Sequence, residues 1–188
     1  MTSSDAAQSL ASAYLATVLP RRWSHVQAVA AHAAAVSHDL ALDEVLVAAA
    51  WLHDIGYVPG LVDTGFHPLD GARFLRRSGV CEQVAALVAY HSCAEIEADV
   101  RGLARDLAAE FARPADELLA DALCYCDMTT GPDGQALEVD DRLAEIRGRY
   151  GPGDLVTRSI DKAAPEIYRA VTRIRELIAA QPDRKSVV

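Results

Sequence analysis

Apolar residues recur along this chain at the spacing of an α-helix, and no stretch alternates between apolar and polar residues as a half-buried strand would. His25, Val29, His32 and Val36, for example, fall on one stripe of a helix. Aromatic residues make up only 6% of the chain, and much of the 51% hydrophobic content is alanine. This composition favours close-packed helices over sheets. The sequence therefore predicts an all-α fold.

Capping residues, glycines and prolines divide the chain into helices. Ser4 is expected to cap the first helix and Asp43 the third, and a break or kink is expected at Pro165. A polar loop is predicted after residue 91, followed by a helix from about Val100. Apart from the helix at about Val100, the predicted helices cover about 4–18, 22–38, 44–55, 68–78, 82–91, 114–128, 138–150 and 154–181. Because no linker or repeat divides the chain, we expect one domain over residues 1–188, with a motif-bearing core at about 20–130 and C-terminal helices at about 138–181.

Charge and composition restrict the partners of the protein. The net charge of −9 argues against a nucleic-acid polymer or an acidic membrane as the partner, because both attract basic surfaces. A small phosphorylated substrate stays compatible, since a bound cation can reverse the local field. Asp5 and the absence of early basic residues do not fit a signal peptide, and no apolar stretch approaches the about 20 residues of a membrane span. The four cysteines show no CxxC pair. We therefore expect a cytoplasmic protein with reduced thiols.

Several metal-binding side chains fall on apolar faces of the predicted helices. His53 and Asp54 end a strongly apolar helix, Asp127 lies on one face with Leu119 and Leu123, and His91 ends another apolar stripe. A buried carboxylate is costly unless a cation or hydrogen-bond donors compensate it. Imidazole and carboxylate ligands together suit Fe, Mn, Zn, Co or Ni better than Ca. The pattern therefore indicates a buried transition-metal site.

The hexapeptide Trp51-Leu-His-Asp-Ile-Gly56 resembles the central motif of the HD superfamily, in its HDIG form. The superfamily pattern is a histidine on an early helix, then the His-Asp pair, then a distant aspartate. In this chain these are His25, the pair His53–Asp54, and Asp127, which follow one another in that order on predicted helices. The resemblance implies a compact helical HD-domain bundle, followed by the C-terminal helical extension, with a metal ion held by these four residues.

Two further histidines lie between the His-Asp pair and the last aspartate. His67 and His91 are similar in position to the histidines that binuclear members of the superfamily add. The resemblance thus implies a second metal, with Asp54 as the bridging ligand and Fe or Mn as the favoured ions, and Zn, Co or Ni as alternatives. The competing interpretation is a single metal, with His67 and His91 contacting the substrate. His32 is expected in the core and His38 in solvent.

The resemblance implies a metal-dependent hydrolase of a phosphate ester or anhydride, acting on a nucleotide or another small phosphorylated metabolite. A metal-activated water would attack at the site formed by His53, Asp54, His67 and His91, and Arg22 is the nearest candidate for a phosphate contact. Two alternatives stay open, because superfamily members include di-iron oxygenases that cleave C–C or C–P bonds and non-catalytic signalling modules. The stretch after residue 150 is open to two roles, covering the site or forming a homodimer face.

Overall fold

The computed structural model describes residues 2–181. Within these residues the chain forms α-helices and short 3-10 turns, with no strand beyond an isolated bridge between Thr130 and Ala136. The predicted all-α fold is therefore confirmed. The helices are α1 (Ser4–Leu15), α2 (Pro20–Leu40), α3 (Val45–Leu52), α4 (His67–Arg77), α5 (Glu82–Tyr90), α6 (Ala94–Arg101), α7 (Ala104–Glu110), α8 (Glu117–Met128), α9 (Val139–Tyr150) and α10 (Leu155–Ala179).

Helix α3 forms the centre of the bundle and packs against α1, α2, α5 and α8. Its sequence, VLVAAAWL, contains no polar residue, and six of its eight residues are buried. The alanines at 48–50 let the neighbouring helices approach closely, because they carry only a methyl group. The residues that follow α3, His53 and Asp54, are consequently placed in the interior of the bundle.

The turn after α3 passes very close to the start of α4. A Cβ atom on Gly56 would lie 2.0 Å from the carbonyl oxygen of His67 and 2.7 Å from the backbone nitrogen of Gly71. Only a residue without a side chain fits this crossing. The crossing fixes the first residue of α4, His67, against the residues that end α3.

Helices α9 and α10 form an extension that packs on α8. The three helices share a second cluster of buried apolar side chains, which includes Met128, Leu143, Ile146, Ile167 and Val171. Pro165 lies inside α10, which is assigned as one helix of 25 residues, so the predicted break does not occur. Although α10 is long, neither it nor another helix within residues 2–181 has both the length and the apolar character needed to cross a bilayer.

Several predicted helix boundaries differ from those of the structure. Ser3, not Ser4, caps α1, which ends at Leu15. The predicted polar loop contains α6, whose acidic first turn is favourable at the positive end of a helix and whose buried face consists of small alanines. Helix α8 begins at Glu117 rather than at the predicted proline, because the Asp116 side chain accepts hydrogen bonds from the first turn.

Candidate metal centre

The structure brings together the six side chains that the sequence analysis singled out as metal ligands. They come from five parts of the fold, and five of the six are buried; His67 is partly buried. They are His25 on α2, His53 and Asp54 after α3, His67 at the start of α4, His91 after α5, and Asp127 on α8.

The first group of possible ligands is His25, His53 and Asp54, whose donor atoms lie within 4.8 Å of one another. The Nε2 atoms of His25 and His53 are 3.9 Å and 3.5 Å from Oδ2 of Asp54. Oδ1 of Asp127 lies 3.1 Å from Nε2 of His25 and 3.9 Å from Nε2 of His53. Two imidazoles and two carboxylates thus point at one small volume.

The second group is Asp54, His67 and His91, also within 4.8 Å. Nε2 of His67 is 3.6 Å from Oδ1 of Asp54 and 3.2 Å from Nε2 of His91. Asp54 therefore turns one carboxylate oxygen to each group. The carboxylate of Asp54 is thus shared by the two groups.

Backbone hydrogen bonds orient three of the four imidazoles. The Nδ1 atoms of His25, His53 and His91 lie 3.0, 2.8 and 2.6 Å from the carbonyl oxygens of Gly131, Ala50 and Val88. Because a carbonyl oxygen only accepts, each Nδ1 carries the proton and donates it. In the neutral rings the lone pair is then on Nε2, which faces the other ligands.

Nε2 of His53 provides the test of whether these residues fit a metal ion. It is buried and has no hydrogen-bond partner in the part of the chain that the structure describes. A buried acceptor without a partner is costly. Two acceptors that face each other are costly as well, and Nε2 of a neutral His25 would face a carboxylate oxygen of Asp127 in this way. A divalent transition-metal ion would satisfy these atoms together, so the residues present fit such an ion.

Most charge states in the two groups suit metal binding; His25 is the exception, because Asp127 and Asp54 together outweigh burial and raise its pKa. Burial lowers the pKa of His53, and burial together with His91 holds the pKa of His67 well below its usual value. Burial alone would raise the pKa of Asp54 and of Asp127. The surrounding groups together outweigh burial and lower both pKa values: Arg22 and the neighbouring histidines do so at Asp54, and His25, His53 and Arg142 at Asp127. Neutral imidazoles and ionised carboxylates are the forms that bind metals.

Three neighbours support these ligands. Nη1 of Arg22 donates to Oδ2 of Asp54, and its guanidinium lies 3.5 Å from the ring centroid of Tyr57. Tyr57 in turn stacks on His67 with ring centroids 3.9 Å apart. Ser92 donates to Oδ2 of Asp127. Sequence reasoning missed Tyr57 and Ser92, and it considered Arg22 only as a phosphate contact.

A cavity of about 100 Å³ opens beside the two groups. One side is formed by Asp54, His67, His91 and Asp127, together with Arg22. The opposite side comes from α9 and α10 and includes two arginines and several apolar side chains: Arg142, Ile146, Arg149, Val156, Ile160 and Ala163. Of the two roles considered for the C-terminal stretch, the structure supports covering the site.

Comparison with known families identifies one matching model. The model of the HD domain matches residues 22–128, which include all six possible ligands and leave out α9 and α10. Comparisons with curated proteins and with solved structures give no match. The HD domain model matches more than half of the chain, and the matched residues carry a His/Asp cluster that is able to bind metal. This chain therefore belongs to the HD domain family, which consists in general of metal-dependent hydrolases.

Proposed function

We propose that the protein is a metal-dependent phosphohydrolase that acts on a small phosphorylated metabolite, such as a nucleotide. One observation carries the proposal: two groups of metal-binding side chains meet at Asp54 and border a cavity that also contains guanidinium groups. Pairs of divalent ions joined by a carboxylate are suited to displacement reactions at phosphorus.

The chain offers ligands for two divalent ions. His25, His53, Asp54 and Asp127 would hold one ion, and Asp54, His67 and His91 the other. When bound, such ions lower the pKa of a coordinated water and stabilise negative charge on phosphoryl oxygens. The histidine Nδ1 bonds and the Ser92 bond to Asp127 keep the ligand side chains in position before the substrate arrives.

Arginine side chains supply the complementary charge for a phosphorylated substrate. Arg22, Arg142 and Arg149 line the cavity, and guanidinium groups match the geometry of phosphate oxygens. Arg22 is partly engaged by Asp54, so a substrate phosphate would share it with this carboxylate. The small volume of the cavity favours a small metabolite over a polymer.

A di-iron oxygenase is the second candidate, because the same pair of ligand groups joined by Asp54 also suits two iron ions. The guanidinium groups would then bind an anionic substrate such as a phosphonate. Oxygen uptake and a mixed-valent iron signal would support this candidate. Phosphate release without oxygen would support the hydrolase.

The deciding experiment begins with elemental analysis of the natively purified full chain. A panel of phosphorylated metabolites is then assayed anaerobically for phosphate release with the metal that was found. We expect release from at least one small phosphate ester or anhydride, and its loss in His53→Ala. His38→Ala is the matched control, because His38 is exposed and belongs to neither ligand group. A protein that purifies without metal and binds none would instead favour a non-catalytic signalling module.

A further inference from the structure

A second cavity lies beside the one next to the metal ligands, and three arginines line both of them. It has a volume of about 320 Å³. Its lining includes His25 and four arginines, Arg21, Arg22, Arg142 and Arg149, but no carboxylate. In a chain with a net charge of −9, such a concentration of positive charge in one recess is a local exception. We call it the arginine recess.

Arg142 is the most informative residue of the arginine recess. Its residue exposure is only 7%, and its Nε has no hydrogen-bond partner in the part of the chain that the structure describes. Nη1 donates to Glu145, and Nη2 lies 3.8 Å from Asp127. An unpaired buried donor of a charged group is costly. Arg142 lines the arginine recess, and an oxyanion that entered the recess would give its N–H fork a partner.

The carboxylates that pair with these four arginines all lie outside the lining of the arginine recess. Arg21 is paired with Asp133, and Arg22 with Asp54. Arg142 and Arg149, in contrast, share Glu145 as their nearest carboxylate. Asp127 is a more distant partner, with its Oδ1 3.8 Å from Nη2 of Arg142, and it also accepts a hydrogen bond from Ser92. Two guanidinium groups on one carboxylate can accommodate a further anion.

We propose that the arginine recess binds a phosphate-type oxyanion, which is held by Arg142 and Arg149 rather than by a metal ion. Both residues belong to α9, which the HD domain model does not cover. Both also line the cavity beside the metal ligands. The oxyanion is either a second phosphoryl group of the substrate or a free anion. The site itself does not depend on the proposed hydrolase function.

Binding of inorganic pyrophosphate to the full chain, after removal of metal with a chelator and dialysis, tests the site. Titration calorimetry should give one binding event, weakened about tenfold or more in Arg149→Gln, because one charge-assisted contact is lost. Arg147→Gln is the matched control. Arg147 lies on the same helix, pairs with Asp161 on the surface and does not line the arginine recess. Its substitution should change the dissociation constant less than about twofold.

Two results would overturn the site: no pyrophosphate binding by the unmodified protein, or equal binding by Arg149→Gln and Arg147→Gln. The second would indicate an adventitious ion only. Arg142→Lys is a further variant, which keeps the charge but removes the N–H fork, and we expect it to weaken binding as well. Because Arg142 is buried, circular dichroism must first show that this variant folds, and otherwise Arg149→Gln alone decides.

The source of the oxyanion is determined by kinetics, and this step rests on the proposed function. If the second phosphoryl group belongs to the substrate, Arg149→Gln raises KM for a diphosphate about tenfold more than it raises KM for the matching monophosphate. If the ligand is a free anion, Arg149→Gln changes KM by the same factor for both substrates, and added phosphate changes the rate of the unmodified protein but not of Arg149→Gln. Arginine-dependent pyrophosphate binding without any phosphohydrolase activity would keep the site and refute the proposed function.

Discussion

Replacing Gly56 by alanine tests how the fold positions the second ligand group. The added methyl group would lie 2.0 Å from the carbonyl oxygen of His67 and 2.7 Å from the nitrogen of Gly71, whereas real Cβ contacts essentially never fall below 3.0 Å. Both neighbours are backbone atoms, so no side chain can rotate away. The start of α4 must retreat by about 1 Å to accept the methyl group.

The size of the effect follows from this displacement. Overpacking of this kind costs about 1–3 kcal/mol, and for a protein of this length about 2–4 °C of Tm is lost per kcal/mol. We therefore expect Tm to fall by about 2–12 °C. His67 moves with the start of α4, and a metal ligand tolerates only about 0.2 Å of error. If both groups bind an ion, as we propose, the metal content should accordingly fall from two ions towards one per chain.

Calorimetry and elemental analysis of Gly56→Ala measure both effects. Gly60→Ala is the matched control, because Gly60 lies in the next turn and a Cβ there meets nothing within 4 Å. Its stability should change by no more than about 0.5 kcal/mol. If Gly56→Ala kept the Tm and the metal content of the unmodified protein, the close crossing would not be what positions His67.

Three other perturbations have expected outcomes. Ser92→Ala removes the hydroxyl donor to Asp127 and should weaken metal affinity about 10–100-fold in a chelator competition, whereas Ser24→Ala on the exposed face of α2 should not. Asp121 is buried and accepts hydrogen bonds from two arginines of α10. Asp121→Ala should therefore lower the free energy of unfolding, measured by urea denaturation, by about 1–3 kcal/mol. The control Asp161→Ala removes an exposed carboxylate and should lower it by about 1 kcal/mol or less. Chelation of the metal should lower Tm and re-addition should restore it; an ion at a hundred times its dissociation constant contributes about 2.7 kcal/mol.

The possible metal ligands could be anticipated because their signal is local. His53 and Asp54 are adjacent and follow an apolar helix that has to be buried, so their burial follows from the residues before them. His67 begins a helix with proline after it, as the pattern of first-turn residues predicts. Such features are set by neighbours in sequence and need no knowledge of the packing of distant segments.

The arginine recess was not anticipated, although one signal was present. Arg142 occupies the same helical stripe as Val139, Leu143 and Ile146, and that stripe is the buried face of α9. The sequence alone did not indicate that Arg142 is buried, because its neighbours in sequence include several charged residues that are typical of an exposed helix. Ser92 offered no signal, since its left-handed backbone, with φ of 49°, is unusual for a serine and depends on the tertiary contacts around it.

The cavity beside the metal ligands is built from two separate stretches of chain. The imidazole and carboxylate donors all fall within residues 22–128, whereas much of the opposite wall is contributed by α9 and α10. Substitutions in these two helices can therefore change the shape and charge of the chamber without altering a single donor atom. This modular construction makes the C-terminal helices the natural segment to randomise when a new substrate preference is to be engineered.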